Sequence, residues 1–235
     1  MNAKEYFKKI NERCQDIFLD TIQDPEPFGN VHHIASCLFE FSETIEDVNE
    51  RELLNVVSAQ IEASSINLAL GLYRQAFSSL RLALELGLGV IFFSIYKLEH
   101  REWLNGTNDI KWAKLIDKEN GVLSVRLTEA FFPELSTSVK DYNLKARSIY
   151  RKLSEFVHGN YETWKKSGLI ITKNDELISQ YFGILSDLKE VLMFCLACRY
   201  INSFSQEKKE AVQFLTEELG HIEAIRVKMG GPEGK

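Results

Sequence analysis

Ala76-Phe-Ser-Ser-Leu-Arg-Leu-Ala-Leu-Glu-Leu-Gly-Leu-Gly-Val-Ile-Phe-Phe93 is apolar on nearly every side if wound as a helix. A helix that is hydrophobic all round must be covered, either by other helices or by lipid. Lipid requires roughly 18–20 uninterrupted apolar residues. The nearest approach, Leu82 to Tyr96, is shorter and is interrupted by Glu85. The segment therefore reads as the central helix of an all-α bundle in a soluble protein. Upstream, positions 53, 57, 61, 64, 68, 72, 75 and 79 keep a helical period for part of the way, and no proline occurs between Asn49 and Lys97. Two long helices are expected there, with a break near Leu70 to Tyr73.

The flanks extend the same pattern. A first helix is expected from Ala3 to Ile22, with Tyr6, Ile10, Cys14, Ile17 and Phe18 on one face. Asp24-Pro-Glu-Pro-Phe-Gly-Asn30 is dense in turn residues and reads as a loop before a helix over Val31 to Phe41. Arg101 to Gly121 reads as a connection with short helical pieces, followed by a short helix over Leu123 to Phe132. A long helix from Leu135 to Val157 should stop at Gly159-Asn160. Leu169 to Thr172 has the character of an extended piece with no second strand to pair with. A helix from Asn174 or Asp175 to Asn202 and a last one from Ser205 to Met229 complete a single all-α domain of long antiparallel helices. Its core spans about residues 49–202, with additional helices at both ends.

Composition bounds the function classes. Apolar residues make up 45 % and charged residues 26 %, ordinary values for a globular chain, and the net charge is −6. That balance argues against a chain coated with nucleic-acid-binding charge. Between Lys140 and Lys166, however, seven basic residues face three acidic ones, so a basic island sits on an acidic chain. Its plain reading is a solvated helix face; its functional reading is a phosphate-binding groove. The four cysteines are scattered and no export signal precedes them, which suggests reduced thiols and a cytoplasmic location. Cys195 and Cys198 lie inside the apolar run Val191 to Ile201 and read as inert core residues.

Chemistry concentrates in Tyr150-Arg-Lys-Leu-Ser-Glu-Phe-Val-His-Gly-Asn-Tyr161. On a helix, positions seven apart differ by only about 20° around the axis, so Arg151 and His158 share a polar face. Ser154 and Glu155 lie beside them and Arg147 one turn before, while Tyr150, Leu153, Phe156 and Val157 are left for the core. RNA cleavage without a metal needs a proton-transfer group and positive charge at the phosphate. His158 suits the first role and Arg151 the second, with Glu155 orienting either and Ser154 donating to a phosphate oxygen. From spacing alone, an ordinary surface or capping histidine near a helix C-terminus is the stronger reading. Arg81 and Glu85, four apart, read either as an ion pair within the bundle or as a lining of the same groove. His32 and His33 lack a carboxylate at ligand spacing; His221, with Glu217 four before it and Glu218 three before it, has the spacing of a surface metal contact but reads first as a helix-surface ion-pair partner. No phosphate-cradling glycine loop, His-Glu-x-x-His or Gly-x-Ser-x-Gly occurs, so no cofactor or metal is expected.

The Arg151-x6-His158 pair, the words Leu153-Ser-Glu-Phe-Val-His-Gly159, and the helix Gly71 to Glu85 with its Arg81-x-x-x-Glu85 together resemble the HEPN superfamily. The resemblance covers about residues 49–202. It implies an all-α bundle and a metal-independent endoribonuclease with Arg151 and His158 as catalytic residues and RNA as substrate. It also implies a homodimer whose two Arg/His faces line one cleft, in a toxin–antitoxin or antiviral defence setting with a protein partner and no membrane. Arg81 and Glu85 would line that cleft beside Arg147, Ser154 and Glu155. In catalytic members the residue after the Arg is Asn, Asp or His, whereas here it is Lys152. That departure keeps open a second reading, a non-catalytic module that binds a protein partner or a nucleotide.

Overall fold

The computed structural model describes residues 2–158 and 171–233. Among these residues there is no strand, and twelve α-helices form one bundle. The helices are α1 (Ala3–Thr21), α2 (Glu26–Glu43), α3 (Val48–Ala69), α4 (Tyr73–Ile95), α5 (Lys97–Leu104), α6 (Trp112–Leu115), α7 (Val125–Phe131), α8 (Val139–Val157), α9 (Asp175–Tyr200), α10 (Gln206–Ala211), α11 (Phe214–Leu219) and α12 (Glu223–Lys228). Single 3₁₀ turns at Pro133–Leu135 and Ile201–Ser203 precede α8 and follow α9.

The α3–α4 hairpin is set by its caps. Asp47 accepts the amides of Asn49 and Glu50 at the start of α3, satisfying donors that a helix leaves open. At its end, Gly71 takes φ +76° while Gly71 N–H donates to Leu68 O and Leu72 N–H to Asn67 O. That is a Schellman turn, and a glycine suits its left-handed position because a Cβ there is strained. The turn also resets the helical phase. Positions 53, 57, 61, 64 and 68 are buried as expected, but in α4 the buried set becomes Tyr73, Ala76, Phe77, Leu80, Ala83 and Leu84 rather than 72, 75 and 79.

From Leu86 to Ser94 every residue of α4 is buried, because α3, α8 and α9 surround it. α4 is long and apolar enough to cross a membrane, yet 72 % of its apolar window is buried inside the bundle. At roughly 1.5–3 kcal/mol per fully buried large aliphatic or aromatic side chain, this helix anchors the core. α8 has a narrower buried stripe, Val139, Tyr142, Ala146, Ile149, Leu153 and Phe156, whose 3–4 spacing is that of one helix face. Its C-terminal end is fastened to α4. Phe77 stacks on Phe156 with centroids 3.8 Å apart, and Arg74 Nη1 donates to Phe156 O at 2.8 Å.

Several expectations need correction. α2 begins at Glu26, inside the segment read as a loop, because proline is tolerated in a helix's first turn, where amides lack intrahelical acceptors. The N-terminal half of α1 projects outward: Tyr6 is exposed, and only Cys14, Ile17 and Thr21 are buried. The single C-terminal helix is three short ones. Gly220 forms part of the bend after α11, where a Cβ would meet the Thr216 carbonyl at 2.2 Å. Bending brings Val212, Leu215, Leu219 and Ile225 onto the bundle, which one straight helix would not do. The expected stop at Gly159-Asn160 and the first half of the extended piece, Leu169 and Ile170, lie outside the described residues, while Ile171 and Thr172 belong to no helix or strand. Cys195 and Cys198 are buried free thiols, and burial pushes the Cys198 thiol up to about 11.

Candidate functional site

His158 is the C-cap of α8, one residue past the helix, and it is solvent-exposed. Helical spacing therefore no longer fixes where its ring points. Its Nε2 lies 3.2 Å from Nη1 of Arg81, seventy-seven residues away on α4. The same guanidinium donates from Nη2 to Tyr150 Oη at 2.7 Å and from Nε to Glu85 Oε1 at 3.3 Å. Arg81 is thus held on three sides, with its side chain only 15 % exposed. Guanidinium N–H groups can only donate, so a hydrogen bond at this distance uses His158 Nε2 as the acceptor. An exposed imidazole beside a guanidinium held on its other sides is the central feature of this end of the bundle.

Tyr150 completes the cluster. Its ring stacks on Trp112 with centroids 3.8 Å apart and planes 5° from parallel, and Arg81 Cζ lies 4.7 Å from its centroid. Stacking fixes the phenol and the phenol fixes the guanidinium, in a cation–π and hydrogen-bonded array. Tyr150, expected to pack the core, is half-buried against it, and its hydroxyl reaches the site.

The other sequence candidates divide. Arg151 and Lys152 are exposed, and no hydrogen bond or ion pair joins Arg151 to any described residue. The cation in contact with His158 is therefore Arg81, not Arg151. Ser154 donates to Tyr150 O at 2.6 Å, a back-bond to its own helix that engages its proton. Glu155 is half-buried on the same turn. Arg147 lies elsewhere. It donates to Asn143 Oδ1 at 2.8 Å and Ile116 O at 2.6 Å, fastening α8 to the loop after α6. Eleven residues of helix place it about 16 Å from His158. Val157, expected inside, is 43 % exposed.

A wider cleft of about 910 Å³ flanks the N-terminal half of α8, lined by Tyr142, Lys145, Glu190 and His221 among others. Three of its polar groups are committed to one another, since Tyr142 and Lys145 both donate to Glu190. Burial would raise the Glu190 carboxyl, but those two hydrogen bonds prevail and hold it below its ordinary value. His221 lies in the turn between α11 and α12, while Glu218, its expected partner, pairs with Lys189. Among the described residues no three His, Cys, Asp or Glu side chains converge as a metal site.

Compared with protein-family models, curated proteins and solved structures, the chain matches none. What the residues define is a class of arrangement: an all-α bundle with an exposed histidine at the end of one helix, held against an immobilised arginine of the central helix.

Proposed function

We propose that the Arg81–His158 cluster is the active site of a HEPN-like, metal-independent endoribonuclease acting in the cytoplasm as a toxin or defence effector. One observation carries the reading: a solvent-exposed imidazole 3.2 Å from a guanidinium that Glu85 and Tyr150 hold in place. In such a reaction the 2′-oxygen loses its proton to a base and attacks phosphorus. The bond to the 5′-oxygen breaks, and that oxygen takes a proton from an acid. The products are a 2′,3′-cyclic phosphate and a free 5′-hydroxyl. His158 Nε2 has the lone pair the first step needs, and Arg81 supplies charge where the phosphate oxygens become more negative.

An arriving phosphate would compete for the Arg81 N–H groups and so release Nε2 to act as the base. Arg151 and Lys152, exposed one to two turns back on the same helix, extend the cation toward an RNA backbone. Pairing of two subunits across this face would supply a second histidine as the acid.

The second reading is a module that binds RNA, a nucleotide or a protein partner at this face without cutting. It is favoured by Lys152 and by the hydrogen bond that occupies Nε2. Incubation with single-stranded RNA, analysed for cyclic-phosphate ends, separates the two. Cleavage should occur and His158→Ala should reduce it by about 10²–10⁴-fold with helicity intact. Absence of cutting at every protein concentration, or equal cutting by the variant, refutes the enzyme; retained RNA or nucleotide binding without cutting selects the module.

A further inference from the structure

Thirteen residues along α4 from Arg81, about 20 Å by helical rise, a separate polar pocket opens between the C-terminal ends of α4 and α9 and the N-terminus of α3. Its volume is about 350 Å³, and its lining includes Ser94, Lys97, Arg199, Tyr200, Ser203 and Lys208. Arg199 is the unusual group. Its Nε donates to Ser94 Oγ at 2.8 Å, and its Cζ lies 4.4 Å from the Phe131 ring centroid and 4.8 Å from that of Tyr200. Ser94 is itself buried and donates to Ile91 O at 2.7 Å, so the anchor for Nε is rigid.

Three carboxylates, Glu46, Asp47 and Glu50, also line the pocket, and each is held by a lysine. Lys97 pairs with Asp47 and with the buried Glu50, and Lys208 pairs with Glu46 at 2.8 Å. Tyr200 Oη donates to the second oxygen of Glu50 at 2.9 Å. Arg199 alone among these cations has no carboxylate within ion-pair distance among the described residues, and its two terminal nitrogens make no hydrogen bond to them. A cation in the last turn of a helix is favourable on its own account. Compensating the helix end, however, would not require an Nε anchor and two aromatic neighbours. Those features orient a guanidinium while leaving the pair of N–H groups that suits a planar or tetrahedral oxyanion.

We infer that this pocket is a binding site for a small organic anion, whose carboxylate or phosphate group is gripped bidentately by Arg199. The pocket's size suits a metabolite-sized ligand rather than a polymer. The inference stands apart from RNA cleavage and uses none of the same residues.

The test uses the isotope-labelled full chain, titrated separately with inorganic phosphate and with acetate at constant ionic strength, chloride serving as the control. Saturable shifts of the Ser94, Arg199 and Tyr200 amides are expected. A response to phosphate alone identifies a phosphate ligand, to acetate alone a carboxylate ligand, and to both a site for either group. Arg199→Gln should weaken the interaction at least about tenfold, and Arg199→Lys, which keeps the charge but loses the fork, should fall between. Should Arg199→Gln fail to fold, Arg199→Lys and Ser94→Ala carry the comparison, the second by releasing the Nε anchor. No saturable shift with either anion, or variants that respond as the parent does, overturns the inference.

Discussion

Replacing Arg81 with Met tests whether the guanidinium organises the site. The substitution keeps an unbranched apolar stem but removes every donor to Tyr150, His158 and Glu85. The Tyr150 contact is short and half-buried, and hydrogen bonds to charged groups contribute about 1.5–3 kcal/mol when lost. The Glu85 contact is a longer i, i+4 pair whose carboxylate is 25 % exposed, so it adds only about 0.3–0.5 kcal/mol. The contact to the exposed His158 adds little to stability. A total near 2 kcal/mol corresponds to a fall of about 4–8 °C in Tm for a chain this size. Urea unfolding followed by far-UV circular dichroism gives the free energy directly. A double-mutant cycle with Tyr150→Phe should show coupling of about 1 kcal/mol. If Arg81→Met costs less than about 0.5 kcal/mol, or its effect simply adds to that of Tyr150→Phe, Arg81 does not organise the cluster as described. For RNA cleavage the same variant should lose about 10²–10³-fold, the usual cost of removing one preorganised charge donor.

Two further predictions concern the frame. His100 is 3 % exposed, stacks on Phe93, and its Nε2 has no partner. Burial, helped by the Lys97 charge, holds its pKa below the ordinary 6.5. Below that pH the unfolded chain binds a proton that the folded chain refuses, so stability should fall as pH drops from 6.5 toward the folded value. His100→Phe should remove that slope in urea titrations from about pH 7 to 5, and an unchanged slope would refute the assignment. The glycines give an opposed pair. A Cβ at Gly121 would meet Asp117 backbone atoms at 2.5 Å, whereas nothing lies within 4 Å of one at Gly183. Gly121→Ala should therefore lower Tm and loosen the turn that Gly121 and Val122 close onto Asp117 and Leu115. Gly183→Ala, exposed within α9, should raise stability by about 0.8–1 kcal/mol; the opposite order would refute both.

The long helices were legible because their signal is local. α3, α4, α8 and α9 each present a buried face at helical spacing, and the α3–α4 break is written in Gly71. Legibility failed where the signal was ambiguous. Pro25 and Pro27 mark a helix start as readily as a loop, and the C-terminal apolar residues fit one helix or three until something decides which surface they must cover. Around the candidate site, spacing places His158 at the end of α8 and Arg81 next to Glu85. It does not show that Arg81 rather than Arg151 contacts His158, or that the Tyr150 hydroxyl reaches the same guanidinium.

By itself the sequence determined an all-α bundle around a buried α4, inert cysteines in the core, and a polar helix end at His158. Each of these follows from residues within a few turns of one another, where 3.6-residue periodicity and burial act without reference to the rest of the chain. Only the tertiary structure decided that Arg81, and not Arg151, touches His158, and that Arg147 serves the loop after α6. It also decided that Arg199, beside a pocket, has no ion-pair partner among the described residues. Those contacts depend on the register at which separate helices pack. Register is set collectively by side chains such as Phe77 against Phe156, so no local pattern encodes it.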